Sequence, residues 1–161
     1  VTVGVLPSTR IAGVAPAGRS EIQPGTFIGT ANVASTNGRR ALEVVVFPES
    51  MRGTGEGNYP WDLPTPGGSA MTNGTVSRGS MMTNGTVART SASGPLTVTV
   101  TYKGGAKRVT ILPSTPIVRV VSADRSLLVP GAHIFVVAKT TNNHLTATRI
   151  IVGERGAIPP M

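Results

Sequence analysis

One stretch of this chain occurs twice. Leu6 to Phe47 aligns without a gap on Leu112 to Gly153, and self-similarity of this kind constrains a fold strongly, because each copy has to build the same supersecondary unit. The shared landmarks are Leu-Pro-Ser-Thr (Leu6 to Thr9, Leu112 to Thr115), Arg-Ser (Arg19-Ser20, Arg125-Ser126), Pro-Gly (Pro24-Gly25, Pro130-Gly131) and an Asn in the following turn (Asn37, Asn143). All sit at punctuation, so the copies share their turns more strictly than their strands.

Composition names the unit that is repeated. Thr and Val supply 41 of the 161 residues and Gly and Pro another 33, whereas Leu supplies only 8 and Lys plus Glu 8. The helix-forming vocabulary is nearly absent and the β-branched one dominates, which predicts an all-β chain. It is too apolar to be disordered, and it has no apolar run near the roughly 20 residues of a membrane-spanning helix.

Reading the second copy with its upstream residues predicts five strands separated by turn signals: 85–89, 96–103, 107–121 with bends at Pro113 and Pro116, 132–139 and 145–152. Between the third and fourth lies a capped turn, Ala123 to Gly131, whose Leu127 or Leu128 can plug a barrel end. That arrangement is OB-like. The first copy lacks a counterpart to the first two strands, so the chain is expected to hold two tandem OB-like small β-barrels related by duplication, the first incomplete at its N-terminus. The expected division is 1–47 for the first barrel, 48–70 for a Gly/Pro-rich linker holding Trp61, and 71–161 for the second. A three-stranded remnant leaves an open edge, to be completed by upstream chain, by the second unit or by a neighbouring molecule. An internal candidate exists: Ser69 to Gly79 (SAMTNGTVSRG) recurs at Ser80 to Thr90 (SMMTNGTVART), a spare copy of one strand.

The run Phe47 to Gly57, then Pro60-Trp61-Asp62-Leu63, then Met71 to Val76, and the closing Val152 to Met161, together resemble a bacterial family of exported tandem OB-like β-barrel proteins known as a domain of unknown function. The resemblance spans essentially the whole chain. It implies fold and export, and no activity. The chain departs from the family's pattern in starting midway through the first barrel and in carrying two MTN-type strands where one is usual. Val1 in place of Met suits either a fragment or a processed product, and processing suits export, periplasmic or extracellular.

Chemistry is sparsely supplied. Cysteine is absent, which removes thiol catalysis and Cys-ligated zinc. His133, His144, Asp62 and Asp124 stand at no spacing that converges on a nucleophile and base; the histidines read as strand and turn residues, and no enzyme activity, cofactor or metal is assigned. Gly53-Thr-Gly-Glu-Gly57 is followed by Asn58-Tyr59-Pro60 rather than by a helix, so it reads as flexible linker and not as a phosphate loop. Asn73-Gly74 and Asn84-Gly85 read first as turns. Nucleic-acid binding on the second and third strands would need stacking aromatics, and Tyr102 is alone there, with Val98, Val100 and Tyr102 alternating against Thr97, Thr99 and Thr101 as a half-buried strand does.

Two features remain. Fifteen Lys plus Arg against seven Asp plus Glu leave a charge of +8, scattered except for Arg39-Arg40 and Lys107-Arg108, the candidates for a polyanion contact. The second feature is a set of strands apolar on both faces, which a barrel interior explains on one face only. Val1, Val3, Val5, Val45, Phe47, Trp61, Phe135, Val137 and Ile151 are therefore the candidate interface residues, and the expected function is that of a non-enzymatic, exported assembly subunit with a protein partner, in a homo-oligomer or a larger envelope complex. The alternative is a periplasmic binding module for an anionic polymer through the Arg-rich face, or for copper through Met51, Met71, Met81, Met82 and Met161 with His133 and His144.

Overall fold

A computed structural model describes residues 1–61, 67–77, 94–141 and 144–159. The described chain is all-β, with ten strands and three single 3₁₀ turns. It divides into two compact units, one built from residues 18–117 and the other from 1–17 with 118–161.

The unit 18–117 contains a closed five-stranded barrel. Its strands are β2 (Phe27–Ser35), β3 (Gly38–Val46), β5 (Ser69–Val76), β6 (Leu96–Tyr102) and β7 (Gly105–Ile111). The ring runs β2-β5-β6-β7-β3 and back to β2, antiparallel at every seam except the parallel β3–β7 pair. Closure leaves no edge inside the ring. Ile28, Val44, Val100, Val109 and Ile111 fill the interior and are almost fully buried, while buried Phe27, next to Ile28 in the strand, lies on the opposite face of β2. On β6 the expected alternation holds, with Val98 and Val100 buried and Thr99 and Thr101 turned outward against β7 and β5.

The barrel thus draws β2 and β3 from the first sequence copy and the other three strands from beyond the expected linker, so the strand pairing does not follow a 1–47 and 71–161 division. The physical reason is register. A hairpin such as β2–β3 fixes only its own pairing, and its two outer edges accept whichever strands the rest of the chain brings to them. The expected strand at 85–89 lies outside the described residues.

Four local readings are refined or corrected. The expected linker 48–70 holds a strand, β4 (Gly57–Trp61), which pairs antiparallel with β5 from Gly57↔Asn73 to Trp61↔Ser69. Gly53 to Gly57 is an ordered turn in which Asn73 Nδ2 donates to the Gly55 carbonyl at 3.0 Å and Glu56 Oε1 accepts the Lys103 N–H at 3.0 Å. Asn73-Gly74 is no turn: it lies in mid-strand, opposite Gly29 and Ile28. Gly74 is needed there because β5 bends to close against β6, and a Cβ would stand 2.2 Å from the Thr101 carbonyl oxygen. The expected long strand 107–121 is two strands, β7 and β8 (Ile117–Ser122), interrupted at Leu112 to Pro116, where the two prolines withhold ladder donors.

The second unit is a sheet in the order β8-β1-β10-β9, with β1 (Gly4–Pro16), β9 (Ile134–Thr141) and β10 (His144–Gly153). β1 lies parallel to β10 and antiparallel to β8. Ala147, Ile150 and Val152 form its buried centre, and Val3, Ile11, Leu127, Leu128, Ala132 and Val136 pack against it. Both leucines of the expected plug therefore serve this core. Their turn is capped as the sequence predicts: Asp124 accepts from Ser126 N at 2.8 Å and from Ser126 Oγ at 2.5 Å. These bonds hold the Asp124 carboxyl below its ordinary pKa of 3.8. The folded pKa is depressed, so this contribution to stability is present above the unfolded value and fades as pH falls through the folded one. The protection of the Ser126 amide, measured against its intrinsic exchange rate at each pH, should accordingly fall on acidification below about pH 4, and in Asp124→Ala it should be lost at every pH.

The repeated sequence carries repeated local structure. In both Leu-Pro-Ser-Thr segments the threonine Oγ1 accepts the leucine N–H at 3.0 Å, from Leu6 to Thr9 and from Leu112 to Thr115. The β2–β3 hairpin pairs Asn32 with Ala41 and Ala31 with Glu43, leaving Leu42 as a bulge. Shifted by 106 residues, β9–β10 pairs Ala138 with Ala147 and Val137 with Arg149, leaving Thr148 as a bulge. The parallel contacts correspond as well: Arg40↔Thr110 in the barrel and Thr146↔Gly4 in the sheet.

Candidate interaction surfaces

The corresponding hairpins differ sharply in what covers them. In the barrel, the outer edge of β2 is taken by β5 from Phe27↔Thr75 to Asn32↔Ala70. In the sheet unit, β9 is terminal, and among the described residues no strand pairs with its outer edge. The side chains record the difference. Ile28 is 0% exposed and its counterpart Ile134 is 50% exposed, while Ala31 is 1% exposed and its counterpart Val137 43%. Ile134 lies on the same side of β9 as core-facing Val136, and Val137 lies on the opposite side with Phe135, so β9 shows apolar surface on both faces beside its unpaired edge.

The nine expected interface residues separate. Val137, Val1 and Val5 are exposed. Phe135 and Ile151 are half-buried and stand opposite each other across β9 and β10. Val3 packs onto the sheet unit's core. Val45 is buried although it lies on the face of β3 opposite interior Val44, so its cover comes from within the chain. Phe47 is half-buried with its ring 5.5 Å from that of Phe27, and half-buried Trp61 sits on β4 with its ring 6.3 Å from Tyr59. Ile134 was missed; its place two residues before Val136 in a strand with no second-side partner is the signal that could have found it.

Two of the four basic candidates come together, while Lys107, opposite Val100, alternates to the other side of β7. β3 lies beside β7, with Arg39↔Val109 and Arg40↔Thr110 in register, which sets Arg40 and Arg108 on the same outward side of neighbouring strands. Both are exposed. Arg39 is engaged inward: its Nε donates to Asn32 Oδ1 and its terminal nitrogen to the Asn32 carbonyl at 3.2 Å. Asn32 itself is fully buried, and its Nδ2 donates to the Thr30 carbonyl and Thr30 Oγ1, each at 2.8 Å, and to Thr72 Oγ1 at 3.1 Å. A buried polar network satisfied this fully holds the barrel in one register.

His133 and His144 are exposed in the sheet unit, whereas Met71 is buried on β5 in the barrel unit and Met51 is half-buried in the turn after β3. Met81, Met82 and Met161, and Asp62, lie outside the described residues. Among the described residues no group of three or more His, Asp or Glu is placed to hold a metal ion. Tyr59, partly buried between β4 and the Gly55 turn, has its phenol pushed above 10 by desolvation, and its hydroxyl accepts from Asn73 Nδ2 at 3.2 Å. Comparison with protein-family models, curated proteins and solved structures finds no match.

Proposed function

We propose that this protein is a non-enzymatic, exported structural or interaction subunit that works within an assembly of protein chains. The observation that carries the reading is the contrast between covered β2 and uncovered β9, with Ile134 and Val137 exposed where Ile28 and Ala31 are buried. Exposed apolar residues beside an unpaired strand edge form a surface that gains by being covered. The strand order of the barrel, with the parallel β3–β7 seam, supports an OB-like reading, and the common registers of the two hairpins support descent by duplication. Export rests on the resemblance of the linker and tail to exported bacterial barrel proteins.

Val137→Lys places a charge on the exposed face of β9 without altering a buried side chain. It is expected to shift the native mass, read by light scattering on a sizing column, from a multiple of the 16.5 kDa chain toward that of one chain. An unchanged multimer would move the contact elsewhere.

A second reading is favoured by the adjacency of Arg40 and Arg108 on β3 and β7, a guanidinium pair suited to phosphate or carboxylate. A single-chain species that polyphosphate retains, and that rising salt releases, would favour this binding-module reading.

A further inference from the structure

We propose that the outer edge of β9 receives Ser80–Val87 of a second copy of this chain as an added antiparallel strand. This inference rests on the assembly reading above and specifies its contact. The barrel supplies the template. There β2 takes Ser69–Val76, and Ser80–Val87 repeats that strand with one difference in eight positions, Met81 in place of Ala70.

The one difference falls where the acceptor differs too. Ala70 pairs with Asn32 in the barrel. The 106-residue correspondence that relates β2 to β9 turns Asn32 into Ala138, so the same register sets Met81 against Ala138. A larger residue enters the strand opposite the position that became smaller, and an apolar pair replaces one arm of the Asn32 network. Further along, the same register sets Met82 against exposed Val137, which it covers, and Gly85 against Ile134. Phe135 takes the place of Gly29, where a Cβ would stand 2.5 Å from the Asn73 side-chain oxygen; the match at this position therefore requires Asn84 to use a rotamer other than that of Asn73. Among the described residues the outer edge of β9 is unpaired, and one strand sequence is doubled, so exchange between copies satisfies both and either closes as a pair or continues as a filament.

The chain has no cysteine, so engineered ones report alone. Full-length Val137→Cys and full-length Met82→Cys, mixed and mildly oxidised, should give a disulfide-linked pair as the main product, absent from either variant alone. Thr83→Cys in place of Met82→Cys points to the other face and should lower the yield by about tenfold. Native mass is measured on the same samples. A multimer without this cross-link overturns the β9 contact and leaves the assembly reading standing. A single-chain mass overturns both. A link that forms only within one chain of the Met82→Cys, Val137→Cys double variant overturns the second copy as occupant.

Discussion

Gly74→Ala is expected to destabilise the barrel by about 3 kcal/mol, at the upper end of the cost of adding one methyl group to a packed core. A Cβ on residue 74 would meet the Thr101 carbonyl oxygen at 2.2 Å and its carbon at 2.8 Å. Both are backbone atoms of β6, so no rotamer change removes the conflict. β5 and β6 would have to separate where Thr75↔Thr101 and Val76↔Val100 close the ring. Trp61, the only tryptophan, pairs with Ser69 at the other end of β5, and its fluorescence should report a lower denaturation midpoint. A midpoint equal to that of the unaltered chain would mean that β5 and β6 approach less closely than described.

Gly153→Ala should act as strongly on the sheet unit. Residue 153 ends β10, where its N–H donates to the His133 carbonyl at 2.9 Å and the chain then folds back through a turn closed by Ala157 N to the Glu154 carbonyl, also 2.9 Å. A Cβ would stand 1.8 Å from the Ala157 carbonyl oxygen. The turn has no slack to move aside: Arg155 and Gly156 already hold positive φ angles of 52° and 78°, and Ala157 is buried. About 3 kcal/mol is again the expected loss, seen as faster amide exchange across β9 and β10. Because the opposing atom is backbone, Ala157→Gly should not rescue the variant, and rescue would overturn this account of the site.

Much of the strand content was legible because it depends on local pattern. The Thr/Val alternation of β6, the Asp124 cap and the leucine-to-threonine bond of each Leu-Pro-Ser-Thr segment are each set by residues within a few positions of one another, and each is observed, although Leu6 to Thr9, expected as punctuation, lies inside β1. Partner choice was legible at one point: the doubled strand beginning at Ser69 is the internal candidate for the first copy's open edge, and β5 does lie beside β2. The parallel β3–β7 seam that closes the ring has no such signal. Asn73-Gly74 misled for a related reason. Asn-Gly is a strong local turn signal, and what holds it in a strand is the distant Thr101 carbonyl, against which only glycine fits.

The candidate surface was partly legible in the same sense. Two-faced apolar strands pointed to β9 and named Phe135 and Val137, but the same criterion named Val45, which the barrel unit buries. Apolar character on both faces says that cover is needed without saying whether the chain supplies it. The distinction comes from comparing equivalent positions: Ile28 against Ile134, and Ala31 against Val137. The pairing of Arg40 with Thr110 likewise joins two basic segments that lie far apart in sequence.

Light scattering on a sizing column, across protein concentration and salt, tests directly whether the uncovered β9 makes this chain an assembly subunit. The predicted result is a mass at least twice that of the 16.5 kDa chain, retained as salt rises, because burial of apolar surface is not screened by ions. A single-chain mass at every concentration and salt would contradict it.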